Sequence, residues 1–98
     1  MSRRSPEEIL IRPLITEESS ILQAEQNKYT FEVTRASTKI DIRRAVEEMF
    51  DVAVKSVRTM NCAGKNKRVG RRLGRKPDWK KAIVTLREGE VIDMYEGV

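Results

Sequence analysis

The sequence predicts an α+β domain, a two-layer sandwich with helices packed on a mostly antiparallel sheet in the order β-α-β-α-β-β. Three observations carry that expectation. Tyr29, Phe31 and Val33 alternate with Thr30, Glu32 and Thr34, the period of a half-buried strand. Ile42, Ala45, Val46, Met49 and Phe50 recur at the spacing of one helical face. Two further β-rich runs, Val52 to Ala63 and Ala82 to Leu86, are separated by a long basic loop.

Taken in order, Ile9-Leu10-Ile11 is a short apolar run ended by Pro13 and reads as an edge strand. Thr16 before Glu17 and Glu18 then starts a first helix, because a hydroxyl can accept an orphan N–H and carboxylates favour the positive end of the helix dipole. Gln26-Asn27-Lys28 breaks it, and the alternating strand follows from Lys28 to Thr34. Thr38 with Asp41 three residues on resembles a capping box at the head of the second helix. On that helix's polar face, Arg43 and Glu47, and Arg44 and Glu48, stand four residues apart as ion pairs, and the helix stops near Asp51. After the strands at 52–63 and 82–86, Glu88-Gly89-Glu90 makes a turn and Val91 to Tyr95 a short edge.

A chain of 98 residues accommodates one domain, 1–98, whose core is modest because so short a chain buries only about 60–65% of its unfolded surface. With 36% charged and 5% aromatic residues, it suits a domain that draws part of its order from a partner. No apolar stretch nears the roughly 18–20 residues of a membrane span, so membrane insertion is not expected. The first residues run into Glu7 and Glu8, unlike a secretory signal, and Cys62 is the only cysteine, which fits a reducing compartment. The expected location is the cytoplasm.

Charge is distributed very unevenly. Between Lys65 and Lys81 stand nine cations, Lys65, Lys67, Arg68, Arg71, Arg72, Arg75, Lys76, Lys80 and Lys81, against the single carboxylate of Asp78. These seventeen residues carry +8, so the remainder of the chain carries −3 of the total +5. Gly64, Gly70 and Gly74 recur there, and only Val69 and Leu73 are large and apolar before Pro77. Glycines let a backbone approach a ligand closely, and arginines fork onto phosphates. A charge run is often only a solvated loop, but here the glycine spacing, the arginine bias and the confinement of all excess charge favour a nucleic-acid-binding loop over 64–78. A membrane-surface role is weaker, since these cations do not lie along an amphipathic helix. Trp79, where the loop re-enters the sheet, has two readings. It stacks on a nucleobase, or it caps the core with its N–H bonded at the loop neck. Tyr29 and Phe31 lack the glycine-aromatic signature of an RNA-recognition sheet and are expected in the core.

Catalysis finds no support, and no cofactor is expected. Histidine is absent, so the commonest general base and metal ligand is missing. Cys62 stands alone in a predicted strand, where a buried small hydrophobe is the ordinary role. No ligands stand at zinc spacing, and Gly70-Arg71-Arg72-Leu73-Gly74-Arg75 lacks the ending of a phosphate-binding loop. The adjacent acids at 7–8, 17–18 and 47–48 point apart on a helix and make poor acid/base pairs.

Four stretches, in order and at suitable spacing, resemble the bacterial large ribosomal subunit protein L-twenty-three family. They are Arg12-Pro13-Leu14-Ile15-Thr16-Glu17, the strand from Asn27 to Val33, the basic run from Gly64 to Arg75, and Asp78-Trp79-Lys80-Lys81-Ala82-Ile83-Val84-Thr85-Leu86. The resemblance implies a structural protein that binds large-subunit rRNA beside the polypeptide exit, among neighbouring large-subunit proteins. It also implies a docking site for trigger factor and the signal recognition particle, with the docking acid falling on Glu17; the bland role of Glu17 is a first-turn carboxylate. Three positions depart from the pattern. Glu18 replaces a common lysine, Asp51 takes a usual glycine position after the second helix, and Ala63 replaces a common basic residue. Two rival readings are a free-standing RNA- or DNA-binding regulator and a module whose loop binds an acidic protein. The regulator would need a dimerisation or recognition helix that the sequence does not display.

Overall fold

The computed structural model describes residues 5–64, 66–69, 72–75 and 77–92, with the backbone course alone for 66–69 and 72–75. Its elements run α1 (Pro6–Ile9), β1 (Leu10–Pro13), α2 (Glu17–Gln26), β2 (Lys28–Val33), α3 (Lys39–Phe50), β3 (Val54–Cys62), β4 (Asn66–Val69), β5 (Arg72–Arg75) and β6 (Trp79–Leu86). Four strands form one antiparallel sheet in the order β1-β2-β6-β3, and β4 and β5 form a second, two-stranded one. The α+β class read from the sequence stands.

The alternating pattern of β2 places Tyr29, Phe31 and Val33 on one face, opposite Val84, Ala82 and Lys80 of β6. α1 and α3 cover that face: Ile9, Ile42, Ala45 and Val46 join Tyr29, Phe31, Val33, Val54, Ala82, Val84 and Leu86 in the core. The Phe31 ring stacks on Phe50 of α3, centroids 5.9 Å apart. α2 packs against β2 on the way.

Both longer helices begin with reciprocal caps. Thr38 Oγ1 accepts the Asp41 N–H at 3.2 Å while Asp41 Oδ2 accepts the Thr38 N–H at 2.9 Å. At α2 the partner of Thr16 is Ser19, whose hydroxyl oxygen accepts the Thr16 N–H at 2.7 Å, rather than either neighbouring glutamate. Removing an N-cap hydroxyl typically costs about 1 kcal/mol. Thr38→Ala is therefore expected to lower the melting temperature by roughly 4–8 °C, as thermal unfolding followed by circular dichroism would show.

Several local expectations need correction. Ile9 does not open a strand but closes the helical turn α1. Pro6 presets the helical φ and needs no N–H partner, and Glu7 and Glu8 favour the dipole's positive end. The edge strand ended by Pro13 does form from Leu10 on: β1 closes at Pro13 and lies at the sheet edge, where a missing donor is tolerated. Arg43 does pair with Glu47 at 3.8 Å, but Arg44 pairs with Asp41 at 3.6 Å and not with Glu48, because residues three apart are neighbours on a helix too. Asp51 takes the left-handed conformation at the end of α3, φ 53°, a role usually left to glycine. Cys62 is only half-buried. Val91 and Ile92 are not a strand: Ile92 is 1% exposed, and its N–H donates to Tyr29 Oη at 3.3 Å, so burial and a hydrogen bond hold the chain on the core without a ladder. Residues 93–95 of that predicted edge lie outside the described residues.

The largest difference is in the basic segment. Read from the sequence as a long loop, it contains an antiparallel pair, with Asn66 opposite Arg75, Lys67 opposite Gly74, Arg68 opposite Leu73 and Val69 opposite Arg72. Pairing satisfies backbone groups that an extended loop would leave to water.

Candidate nucleic-acid interface

The interface begins where the main sheet ends. The β3–β6 ladder runs out at Cys62 opposite Trp79. Two residues further, the Gly64 N–H donates to Asp78 Oδ1 at 2.9 Å, a clasp that holds the two segments of the chain together between the sheet and the ribbon of β4 and β5. The one carboxylate within the basic segment is thus part of its neck.

Opposed residues on such a ribbon have Cα atoms only about 4.5–5.5 Å apart. Lys67, Arg68, Arg72 and Arg75 all lie in β4 and β5, and the register sets each opposite an uncharged residue, Gly74, Leu73, Val69 and Asn66 respectively, so four cations share one narrow ribbon without any two being directly opposed. Phosphates lining up along the ribbon would neutralise that charge. Lys65, Arg71 and Lys76 fall outside the described residues.

β6 divides the three remaining candidates between its faces. Lys80 alternates with Ala82 and Val84 toward the helices, and its Nζ donates to the Ser37 carbonyl at 2.5 Å. Trp79 and Lys81 belong to the opposite face, which α1 and α3 leave uncovered. There Lys81 stands opposite Glu32 of β2 and Met60 of β3, and Glu32 opposite Arg12 of β1. The Arg12 Nε–Glu32 Oε1 distance is 2.8 Å.

Two clefts flank the paired strand ends. One, of about 510 Å³, is bounded by the Arg12–Glu32 pair, Trp79 and the neck residues Gly64, Pro77 and Asp78. The other, of about 320 Å³, lies by Arg35, Asn61 and the other side of Trp79. Trp79 is half-buried between them. Sequence reasoning missed Arg12, Glu32 and Arg35 as neighbours of Trp79. The signal available for Glu32 was its place on the polar side of the alternating strand; Arg12 and Arg35 lie far from Trp79 in the chain and carried none.

Glu17 stands apart from these groups, exposed in the first turn of α2. Among the described residues, no cluster of side chains could hold a metal ion, and no helix is long and apolar enough to cross a membrane.

A helix-backed antiparallel sheet whose last two strands are joined through a basic two-stranded ribbon defines a class of small α+β proteins built around one charged appendage. Comparison with known proteins gives the class a family. The family model described as "Ribosomal protein L23" matches residues 8–94. The "Large ribosomal subunit protein uL23" of Roseiflexus castenholzii is 58% identical over 90 residues, spanning 92% of this chain and 95% of the relative. That of Heliobacterium modesticaldum is 54% identical over 95 residues, 97% of this chain and 99% of the relative, and that of an Anaeromyxobacter species (strain K) is 50% identical over 91 residues, 93% and 94%. The chain belongs to the ribosomal protein L23 family, a family of ribosomal proteins and not of enzymes.

Proposed function

We propose that this protein is a structural constituent of the large ribosomal subunit in the cytoplasm, binding large-subunit rRNA beside the polypeptide exit and contacting neighbouring ribosomal proteins. The whole chain acts as one domain, with residues 64–78 as its RNA-binding extension. The observation that carries this reading is the +8 charge of residues 65–81, four of whose nine cations lie on a two-stranded ribbon, in a member of a ribosomal protein family. Lys67, Arg68, Arg72 and Arg75 neutralise phosphates along the ribbon, Lys65, Arg71 and Lys76 of the same basic run neutralise others, Lys81 does so on the uncovered sheet face, and Trp79 meets RNA at the neck. Lys80 contributes positive potential from its place beside the Ser37 carbonyl. The tagged protein should co-sediment with large subunits through a high-salt cushion; recovery as a free protein under those conditions would refute the assignment.

The family resemblance adds a second, outward-facing role for Glu17 as a docking acid for trigger factor and the signal recognition particle. It is supported by the exposure of Glu17 and of two apolar side chains beside it in the chain, Ile15 at 39% and Ile21 at 49%. Glu17→Ala should cost the helix only about 0.3–1 kcal/mol, so assembly into the subunit survives. Losing one member of a desolvated charge pair costs about 2–5 kcal/mol, so trigger factor should bind the variant ribosomes roughly 30-fold more weakly or worse. Glu18→Ala is the control, since its side chain points about 100° away around the helix. Equal binding by wild-type and Glu17→Ala ribosomes would leave Glu17 with its dipole role alone.

A further inference from the structure

The uncovered sheet face ends in a cleft that phosphate contacts alone do not explain. Trp79 forms part of its wall, beside Asp78 and the backbone of Gly64 at the neck, and the Arg12–Glu32 pair bounds it across the sheet. Its volume of about 510 Å³ falls within the roughly 300–1,000 Å³ of small-molecule sites, ample for one planar heterocycle. The cleft combines the two things an unpaired base needs. An aromatic face offers stacking, and a guanidinium and a carboxylate offer hydrogen bonds to the base edge. Among the described residues Arg12 commits one donor, Nε, to Glu32, and its side chain is 65% exposed, so its remaining N–H groups are open to a ligand. Arg12 lies on the edge strand β1 and Glu32 on its inner neighbour β2, 20 residues away in sequence, and their ion pair holds the guanidinium beside the cleft.

We infer that this cleft takes one unpaired nucleobase of the bound RNA, stacked on Trp79 with its polar edge toward Arg12. The inference rests on the RNA-binding reading above and goes beyond it. The ribbon grips phosphates without regard to sequence, whereas the cleft registers the RNA by a single everted base. It also assigns function to Arg12 and Glu32, which lie outside the basic segment.

Trp79 is the chain's one tryptophan, so its emission reports this site alone. The full-length protein is titrated at low salt with a short single-stranded oligoadenylate, and separately with inorganic polyphosphate, with binding followed independently by anisotropy of labelled ligand. The expected result is quenching of Trp79 by oligoadenylate and none by polyphosphate, although both bind. Trp79→Leu should weaken oligoadenylate binding about 5- to 150-fold, the range that loss of one stacked base produces, while Trp79→Phe stays within about threefold of wild type. Arg12→Gln, an exposed change that leaves the core alone, should weaken oligoadenylate and spare polyphosphate. Oligoadenylate binding with unchanged Trp79 emission, or equal quenching by both ligands, overturns the base cleft and leaves the ribbon's role standing. No oligoadenylate binding at all would overturn the RNA-binding reading and the cleft with it.

Discussion

Raising salt from 50 to 200 mM is expected to weaken binding of the isolated protein to a large-subunit rRNA fragment by roughly 250- to 1,000-fold. Nine cations lie between Lys65 and Lys81; Lys80 is turned toward Ser37, and not every other cation can meet a phosphate at once. With about six contacts, each releasing most of one counterion, the slope of log affinity against log salt is about −4 to −5. Replacing both Arg71 and Arg72 by alanine should flatten that slope by about one per lost contact. Filter binding or fluorescence anisotropy across a salt series provides the measurement. A slope near zero would mean that the concentrated charge of the ribbon does not face phosphate, and the electrostatic basis of the proposed function would fail.

Phe31→Ala should come close to unfolding the protein. Phe31 is 2% exposed at the centre of β2, paired with Pro13 on one side and Ala82 on the other, and its ring stacks on Phe50 of α3. Truncation removes one of the largest side chains packed between sheet and helix, and a buried phenylalanine lost to alanine costs about 3–5 kcal/mol. Domains of ordinary stability hold only about 5–15 kcal/mol in all. With an m-value near 2 kcal/mol per molar, the urea midpoint should fall by about 1.5–2.5 M. Phe50→Ala should cost less, because Phe50 is only partly buried against the core. A loss below 1 kcal/mol for Phe31→Ala would show that the ring does not fill the space assigned to it.

The parts of the fold that burial dictates were readable from the chain. Tyr29, Phe31 and Val33, and Ile42, Ala45 and Val46, announce their faces by spacing, and Thr38 with Asp41 announces the helix start. What escaped are features decided by backbone chemistry or by distant neighbours. The turn at Pro6 is too short for any periodicity, though the proline and two acids were a usable signal. The β4–β5 pair has a single β-branched residue, Val69, and a glycine at 74 within a strand, so propensity argues against it. The cue that could have found it is Gly70, which opens a two-residue connection between Val69 and Arg72. The cleft at Trp79 was legible only in part: the tryptophan stood out, but Arg12 and Glu32 reach it solely because β1, β2 and β6 are adjacent in the sheet.

The clasp between Gly64 and Asp78 also makes the appendage modular over evolutionary time. Everything that fixes the main sheet's register lies on one side of it, so residues inserted beyond it need not disturb a single core contact. Two residues added to each arm would lengthen the ribbon by about 7 Å, at roughly 3.4 Å per residue. Even-numbered additions keep each side chain on its original face, whereas a single extra residue in one arm exchanges the faces of all that follow. Because loop-closure entropy grows only slowly with length, such lengthening costs the folded domain little. Drift in this segment should therefore proceed by matched pairs of residues, changing how far the protein reaches while its globular body stays the same.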